Sequence, residues 1–123
     1  MSHFTTIKTQ IKNGNILQQT LQQLNYVVER NSIVRGYQGI TTTADYVIKR
    51  QNGYDIGFLK TGEIYEMVAD FWGVDLQKEF IQQINQSYAQ NVVLNYAQEK
   101  GYEIESQETL EDGSVRLVMA GWV

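Results

Sequence analysis

The dipeptide Asn52-Gly53 constrains the fold of this chain more than any other short stretch. It lies between two apolar-rich segments, DYVIKR and YDIGFL. A two-residue hairpin turn needs a positive φ at both central positions, and Asn and Gly tolerate that conformation best. The dipeptide therefore predicts an antiparallel hairpin in which Arg50 lies opposite Asp55. By the same count, Val47 lies opposite Phe58.

The segment after this hairpin fits either a helix or a strand by its spacing alone, and cross-strand pairing favours the strand. A second tight turn at Thr61-Gly62 would place Phe58 opposite Tyr65 and Ile56 opposite Met67. These side chains then share one apolar sheet face with Val47. We therefore predict a strand over residues 63–71, which completes a three-stranded meander.

Two helices flank this meander in the sequence. Asn13 is a candidate N-cap for the first helix, which carries apolar side chains at helical spacing. Asp75 is a candidate N-cap for the second, which ends at Lys100 with Gly101 and Tyr102 in the order of a Schellman motif. The predicted apolar positions of the two helices are Ile16, Leu17, Thr20, Leu21 and Leu24, then Leu76, Phe80, Ile81, Ile84, Tyr88, Val92, Tyr96 and Ala97.

The remaining segments complete the predicted fold. Residues 3–11 and 26–29 indicate strands, and Asp112-Gly113 predicts a closing hairpin in which Leu110 pairs with Val115. The resulting fold class is α+β: a small, mostly antiparallel sheet with two helices packed on one face, ferredoxin-like with an inserted meander. The 123 residues fit a single domain over 1–123.

The composition excludes several classes of function. The chain has no Cys and one His, so it can hold neither a disulfide nor a cysteine or two-histidine metal site. A net charge of −4 argues against nucleic acid as a partner. No apolar run reaches the roughly 20 residues that a membrane span needs, and no export signal is visible at the N-terminus. We expect a soluble, cytoplasmic protein without metal or cofactor.

The meander register places four charged residues together on the face opposite Val47, namely Arg50, Asp55, Glu66 and Asp70. Apolar residues share this face, so it has the composition of a docking surface for a protein partner. The alternative is that the chain's own helix or loop covers it, or that it is a solvated face with an Arg50–Asp55 pair. Both interpretations remain open from the sequence.

Asp70 and the two tryptophans are the other candidates. Asp70 precedes Phe-Trp-Gly and is explained by turn chemistry, in which its carboxylate accepts a backbone N–H. Alternatively, Asp70 and Trp72 line a small-ligand pocket. Trp122, on the outward side of the last hairpin, is a candidate anchor for a partner. Along a strand, Glu66 and Asp70 are roughly 13 Å apart, too far for a paired acid and base.

Four stretches resemble a known family: MSHFTTIKTQIK, GEIYEMVADFWGV, QSYAQNVVLNYAQEKGY and EDGSVRLVM. They are similar to the hypothetical chloroplast open reading frame thirty-five family, a domain of unknown function of cyanobacteria and algal plastids. The resemblance spans nearly the whole chain. It implies a location in the cyanobacterial cytoplasm or plastid stroma, and it transfers no catalytic or cofactor residue.

The sequence therefore leads to three functional hypotheses. The first is a non-catalytic binding or assembly protein that acts through the mixed apolar and acidic sheet face. The second is a binder of a small tetrapyrrole-like or other apolar ligand. The third is an enzyme with Asp70 or His3 as its acid or base, which no further motif supports. Homodimerisation through a sheet edge remains open.

Overall fold

The computed structural model describes residues 4–70, 78–111 and 115–120. It contains helices and antiparallel strands in separate segments, which confirms the predicted α+β class. The helices are α1 (Gly14–Gln23) and α2 (Lys78–Lys100). The strands are β1 (Thr5–Lys8), β2 (Val28–Arg35), β3 (Thr41–Ile48), β4 (Ile56–Thr61), β5 (Ile64–Ala69), β6 (Glu103–Thr109) and β7 (Val115–Ala120).

The chain divides into two compact units, Met1–Gln77 and Lys78–Val123. The first contains α1 and the strands β1 to β5. The second contains α2 with β6 and β7. The expectation that both belong to one domain stays a prediction.

The first unit is built on a five-stranded antiparallel sheet in the order β1-β5-β4-β3-β2. The strand predicted over residues 63–71 is confirmed as β5. The choice of a strand over a helix, which was made from cross-strand pairing, is therefore correct. The ferredoxin-like arrangement is not confirmed. Strands β1 and β2, which α1 connects, lie at opposite edges of the sheet, and β6 and β7 form a separate two-stranded sheet.

The register predicted for the first hairpin is wrong by one residue. Val47 lies opposite Gly57, and Tyr46 lies opposite Phe58. Gly53 has the expected positive φ of 81°, but Asn52 does not have the positive φ predicted for it, and residues 49–55 all belong to the connection. The physical reason is Asp55, whose amide donates to the Arg35 carbonyl at 3.1 Å instead of joining a ladder with β3. A one-residue shift reverses the faces, so Phe58 shares its face with Tyr46.

The second hairpin is shifted by two residues and keeps its faces. Thr61 pairs with Ile64, so the turn is Gly62-Glu63, and Phe58 lies opposite Met67. Gly62 has a φ of 69°, which explains why the turn forms around it. Because side chains alternate with period two, the apolar face predicted for β4 and β5 is correct.

Helix α1 lies against the sheet face that carries Tyr46 and Tyr65. Asn13 caps it as predicted, since its Oδ1 accepts the Ile16 amide at 3.1 Å. Gly14 begins the helix directly beside the two tyrosine hydroxyls; a Cβ at Gly14 would come within 2.7 Å of the Tyr46 oxygen. The helix buries Leu17, Thr20 and Leu21.

The opposite face of the sheet is covered in part by the β2–β3 hairpin. Val34, Ala44 and Val47 form a buried cluster there, and Phe4 packs against it. Gly57 lies directly beneath this cluster, since a Cβ on it would come within 2.6 Å of Val34 Cγ2. Only glycine permits this close approach without displacing a neighbour. The buried apolar residues of the first unit are Ile11, Leu17, Leu21, Val34, Ala44, Tyr46, Val47, Ile48, Ile56, Phe58, Tyr65, Met67, Val68 and Ala69.

Helix α2 of the second unit ends as its sequence predicts. Gly101 has a φ of 75°, and the Tyr102 amide donates to the Ala97 carbonyl at 2.8 Å, which is the Schellman pattern. Ile84 and Ala97 are buried as predicted, whereas Val92 and Tyr96 are exposed. The proposed cap Asp75 lies outside the described residues.

The closing hairpin of the second unit consists of β6 and β7, which pair antiparallel. Thr109, not Leu110, lies opposite Val115, so the predicted register is wrong by one residue near the turn. The pairing shifts between Ile104 and Ser106, where one extra residue is accommodated. Asp112-Gly113 lies outside the described residues.

Candidate functional site

Two of the predicted site residues, Asp55 and Asp70, lie at the same end of the β4–β5 hairpin. Ile56 pairs with Ala69, and the two aspartates occupy the next position on each chain. Both carboxylates are buried, with exposed fractions of 0% and 1%. They therefore cannot contact a docked partner in this fold. The hypothesis that Asp55 and Asp70 line an exposed docking surface is wrong.

Asp55 is an internal ion-pair centre. The Arg35 guanidinium binds it in a bidentate manner, with Nε 2.7 Å from Oδ2 and Nη2 2.9 Å from Oδ1. The backbone amides of Arg35 and Arg50 each donate to it at 3.0 Å, and Lys49 Nζ lies 3.5 Å away. Such charge-assisted bidentate pairs are the stronger class of hydrogen bond. Asp55 thus joins the end of β2 to the β3–β4 connection.

The predicted side-chain pair between Arg50 and Asp55 is wrong. Arg50 contributes its backbone: its amide donates to Asp55, and its carbonyl accepts Arg35 Nη2 at 2.8 Å. The longer connection between β3 and β4 explains the difference, because it wraps the backbone at Arg50 around the carboxylate. Arg35 takes the place expected for the Arg50 side chain.

The ionisation of Asp55 reflects this setting. Burial raises the pKa of its carboxyl, but the hydrogen bonds from Arg35 and from the amides of Arg50 and Arg35 outweigh burial and lower the pKa from 3.8 to about 2. Asp55 in turn raises the pKa of Arg35. A carboxylate that these donors keep charged is suited to a structural role, joining the end of β2 to the β3–β4 connection.

Asp70 also binds the backbone, but the bond seen is to a distant segment; the local turn predicted for it falls on residues 71–77, outside the described residues. Its Oδ2 accepts the Tyr37 amide at 2.8 Å, and Tyr37 belongs to the connection between β2 and β3. Gly36 lies close beneath Asp70, since a Cβ on Gly36 would come within 3.0 Å of the Asp70 carboxylate. Asp70 therefore anchors the tip of the β2–β3 hairpin.

Glu66 lies in a different environment, toward the other end of the β4–β5 hairpin. It pairs across the strands with Leu59 on one side and Lys8 on the other. Leu59 is 38% exposed, and Glu66 and Ile64 are partly exposed. We call Lys8, Leu59, Thr61, Ile64 and Glu66 the open patch. It is the part of the predicted docking face that the chain leaves uncovered.

Sequence reasoning missed Arg35 and Lys49 as the partners of Asp55. Lys49 donates to the Ile33 carbonyl as well as to Asp55, so it also joins β2 to this connection. Arg35 lies 20 positions from Asp55, in a segment whose pattern gave no register. Only the pairing of β2 with β3 brings the two together. The one local signal that could have indicated this ion pair is the position of Arg35, a charged residue directly before the Gly36 turn.

Several predicted features lie outside the described residues: His3, Trp72 and Trp122. Among the residues that the structure does describe, no group of three or more His, Asp or Glu side chains is placed to hold a metal ion. In the same part of the chain, no helix is both long and apolar enough to cross a membrane.

Comparison with known proteins places the chain in a family. A family model described as a protein of unknown function (DUF1257) matches residues 20–118. The chain belongs to the DUF1257 family. This DUF1257 chain is similar to proteins named "Uncharacterized protein ycf35", which confirms the resemblance drawn from its sequence motifs. No solved structure matches it.

The relatives of this DUF1257 chain align along almost their full length. The protein of Guillardia theta is 38% identical over 128 residues, covering 99% of this chain and 98% of the relative. The protein of Cyanophora paradoxa is 36% identical over 126 residues, with the same coverage of 99% and 98%. That of Pyropia yezoensis is 30% identical over 129 residues, again covering 99% and 98%. These relatives are plastid-encoded, and their names specify no activity.

Proposed function

We propose that this protein is a non-catalytic binding or assembly protein, and that it binds a protein partner through the open patch. The observation that carries the proposal is the exposure of Leu59 beside the partly exposed Glu66, on the sheet face opposite Phe58 and Met67. The plastid-encoded relatives favour the cyanobacterial cytoplasm or the plastid stroma as its setting.

The chemistry of the open patch suits a protein surface. Leu59 and Ile64 supply apolar area, and the neighbouring charges Glu66 and Lys8 set the orientation of a partner. A partner would present an apolar side chain to Leu59, with a basic group toward Glu66 and an acidic group toward Lys8. The charges of a patch of this kind contribute more to specificity than to affinity.

The other two hypotheses receive less support. An acid–base role for Asp70 competes with its hydrogen bond to the Tyr37 amide. An apolar-ligand pocket would include Trp72, which lies outside the described residues, and would need the buried Asp70 to face the ligand. Neither hypothesis is supported by a geometric observation comparable to the exposure of the open patch.

The proposal is tested by affinity capture from a cyanobacterial lysate with matched variants. Glu66→Lys reverses the central charge, and Leu59→Ser removes the exposed apolar side chain. Gln22→Lys is the matched control, because it adds a positive charge at an exposed position of α1, outside the open patch. We expect a partner that the wild type and Gln22→Lys both recover and that both patch variants lose.

Quantitative mass spectrometry measures this recovery, and circular dichroism verifies that each variant is folded. Equal recovery of every captured protein by the wild type and both patch variants would contradict the proposal.

A further inference from the structure

A cleft opens at the N-terminal end of α1, on the sheet face opposite the open patch. It encloses about 490 Å³ and is bordered by Lys12, Gly14, Asn15, Tyr46 and Lys60, which we call the basic cleft. Its remaining lining residues are Asn13 and Tyr65. The lining therefore carries two lysines and no carboxylate, although the whole chain has a net charge of −4.

The first turn of α1 presents hydrogen-bond donors to this cleft. The first amides of a helix have no intrahelical acceptor, and they carry the positive end of the helix dipole. The Asn13 side chain accepts the Ile16 amide, and its carbonyl accepts the Leu17 amide. Within the described ranges, the Gly14 and Asn15 amides make no hydrogen bond, and the first turn carries no acidic side chain.

Tyr46 adds an independent observation that points to a ligand. Its side chain is only 5% exposed, yet its hydroxyl makes no hydrogen bond to any residue that the structure describes. Buried tyrosine hydroxyls usually have a partner. In the described part of the chain, every fully covered side-chain oxygen or nitrogen has a hydrogen-bond partner. The Tyr46 hydroxyl has no such partner, so it is accessible, and it is accessible where Tyr46 borders the cleft. The Tyr46 side chain is therefore buried, and its hydroxyl is a donor open to the basic cleft.

The cations at the cleft complete the set of donors. Lys60 makes no ion pair with any described residue, and Lys12 lies at the opposite border, just before α1. The Arg30 guanidinium lies 5.8 Å from the centre of the Tyr46 ring and adds a third positive charge nearby. Amides at a helix N-terminus together with lysine and tyrosine donors match the several acceptor oxygens of a phosphate group.

We propose that the basic cleft binds a small molecule that carries a phosphate monoester. The amides of Gly14 and Asn15 and the Tyr46 hydroxyl donate to the phosphate oxygens, and Lys12 and Lys60 balance its charge. The cleft is open and its lining is mostly polar, so the organic part of the ester can extend from it toward solvent. This site does not depend on the function proposed for the open patch, which lies on the other face.

The experiment is a titration of the ¹⁵N-labelled full chain, followed by NMR, with glycerol 3-phosphate and with inorganic phosphate as probes. Acetate and sodium chloride at the same ionic strength are the anion controls. We expect saturable shifts of the Gly14 and Asn15 amide resonances with both phosphates, and tighter binding of the ester. Equal affinity for inorganic phosphate would overturn the assignment of an ester ligand.

Variants test which groups hold the phosphate. A hydrogen bond to a charged group is strong enough that Tyr46→Phe and Lys60→Ala should each weaken binding of glycerol 3-phosphate about tenfold. Lys8→Ala removes the same charge from the opposite face of the sheet and should change affinity by less than about twofold. The proposal is overturned if Lys8→Ala weakens binding as much as Lys60→Ala, if acetate shifts the same amides equally, or if neither phosphate shifts them.

Discussion

The two ends of the β4–β5 hairpin use charge in opposite ways. At the end with Ile56 and Ala69, the carboxylates of Asp55 and Asp70 are buried and bound by donors from the chain itself. Toward the end with Lys60 and Tyr65, the basic cleft has no carboxylate in its lining, and Lys60 makes no ion pair with a described residue. Charge that is complemented internally stabilises a fold, and charge that is left uncomplemented at a surface is available for binding. The comparison therefore separates structural from functional charges within one hairpin.

The largest expected effect on stability comes from removing the buried charge of Asp55. It lies at the end of the hairpin with Ile56 and Ala69, which we call the closed end. Asp55→Ala leaves the Arg35 guanidinium without its carboxylate and two backbone amides without an acceptor. The Arg35 side chain is 41% exposed and can be solvated, whereas each amide left without an acceptor costs about 1–3 kcal/mol. We expect the loss from both amides to appear in the free energy of unfolding, measured by urea denaturation.

Glu66→Ala is the matched control for Asp55→Ala, because Glu66 is an acid of the same hairpin that lies in the open patch. We expect it to change the free energy of unfolding by less than about 0.5 kcal/mol. Comparable losses in the two variants would remove the distinction between the two ends.

A smaller loss is expected from Gly57→Ala, also at the closed end. The added Cβ would come within 2.6 Å of Val34 Cγ2 and 2.8 Å of Ala44 Cβ, so the β2–β3 hairpin must shift. Overpacking of this kind costs about 1–3 kcal/mol. Thr61→Ala, an exposed substitution on the same strand, serves as the control in the same denaturation assay. If Gly57→Ala is as stable as wild type, the cover over this face is loosely packed.

Acid should weaken the closed end without a mutation. Because the folded pKa of Asp55 lies near 2 and its ordinary value is 3.8, its charge stabilises the fold above pH 3.8. This contribution is lost as the pH falls from about 4 to about 2. The difference in free energy of unfolding between wild type and Asp55→Asn should therefore narrow over this interval. A difference that stays constant down to pH 2 would contradict the ion-pair account.

The sequence predicted local geometry better than it predicted partners. The Asn13 cap, the Gly101 ending of α2 and the positive φ of Gly53 each depend on a few neighbouring residues, and each is confirmed. The strand β5 is also confirmed, because pairing across a hairpin is nearly local. Turn length was the weak point: the predicted two-residue turn is a connection over residues 49–55, and the one-residue shift in register exchanged the face of Val47 with that of Tyr46.

The candidate sites show the same limit. Glu66 lies opposite Phe58 and Met67 as predicted, because this follows from the β4–β5 pairing alone, but Val47 shares its face, contrary to the prediction. The partner of Asp55 could not be predicted, since Arg35 reaches it only through the pairing of β2 with β3. The basic cleft was missed for a related reason. Its donors come from α1, β3 and β4, and no motif links Gly14, Tyr46 and Lys60 in the sequence.

The smallest expected effect on stability is at the other end of the hairpin, with Lys60 and Tyr65, beside the basic cleft. Tyr46→Phe removes a hydroxyl that makes no hydrogen bond to a described residue, so the free energy of unfolding should change by less than about 0.5 kcal/mol. Thr20→Val is the control: it removes the hydroxyl of another buried side chain, one that donates to the Ile16 carbonyl at 2.7 Å, and should cost about 1 kcal/mol. If Tyr46→Phe costs as much as Thr20→Val in urea denaturation, the Tyr46 hydroxyl has an internal acceptor. The basic cleft would then lose its tyrosine donor, and the two ends of the hairpin would differ only in exposure.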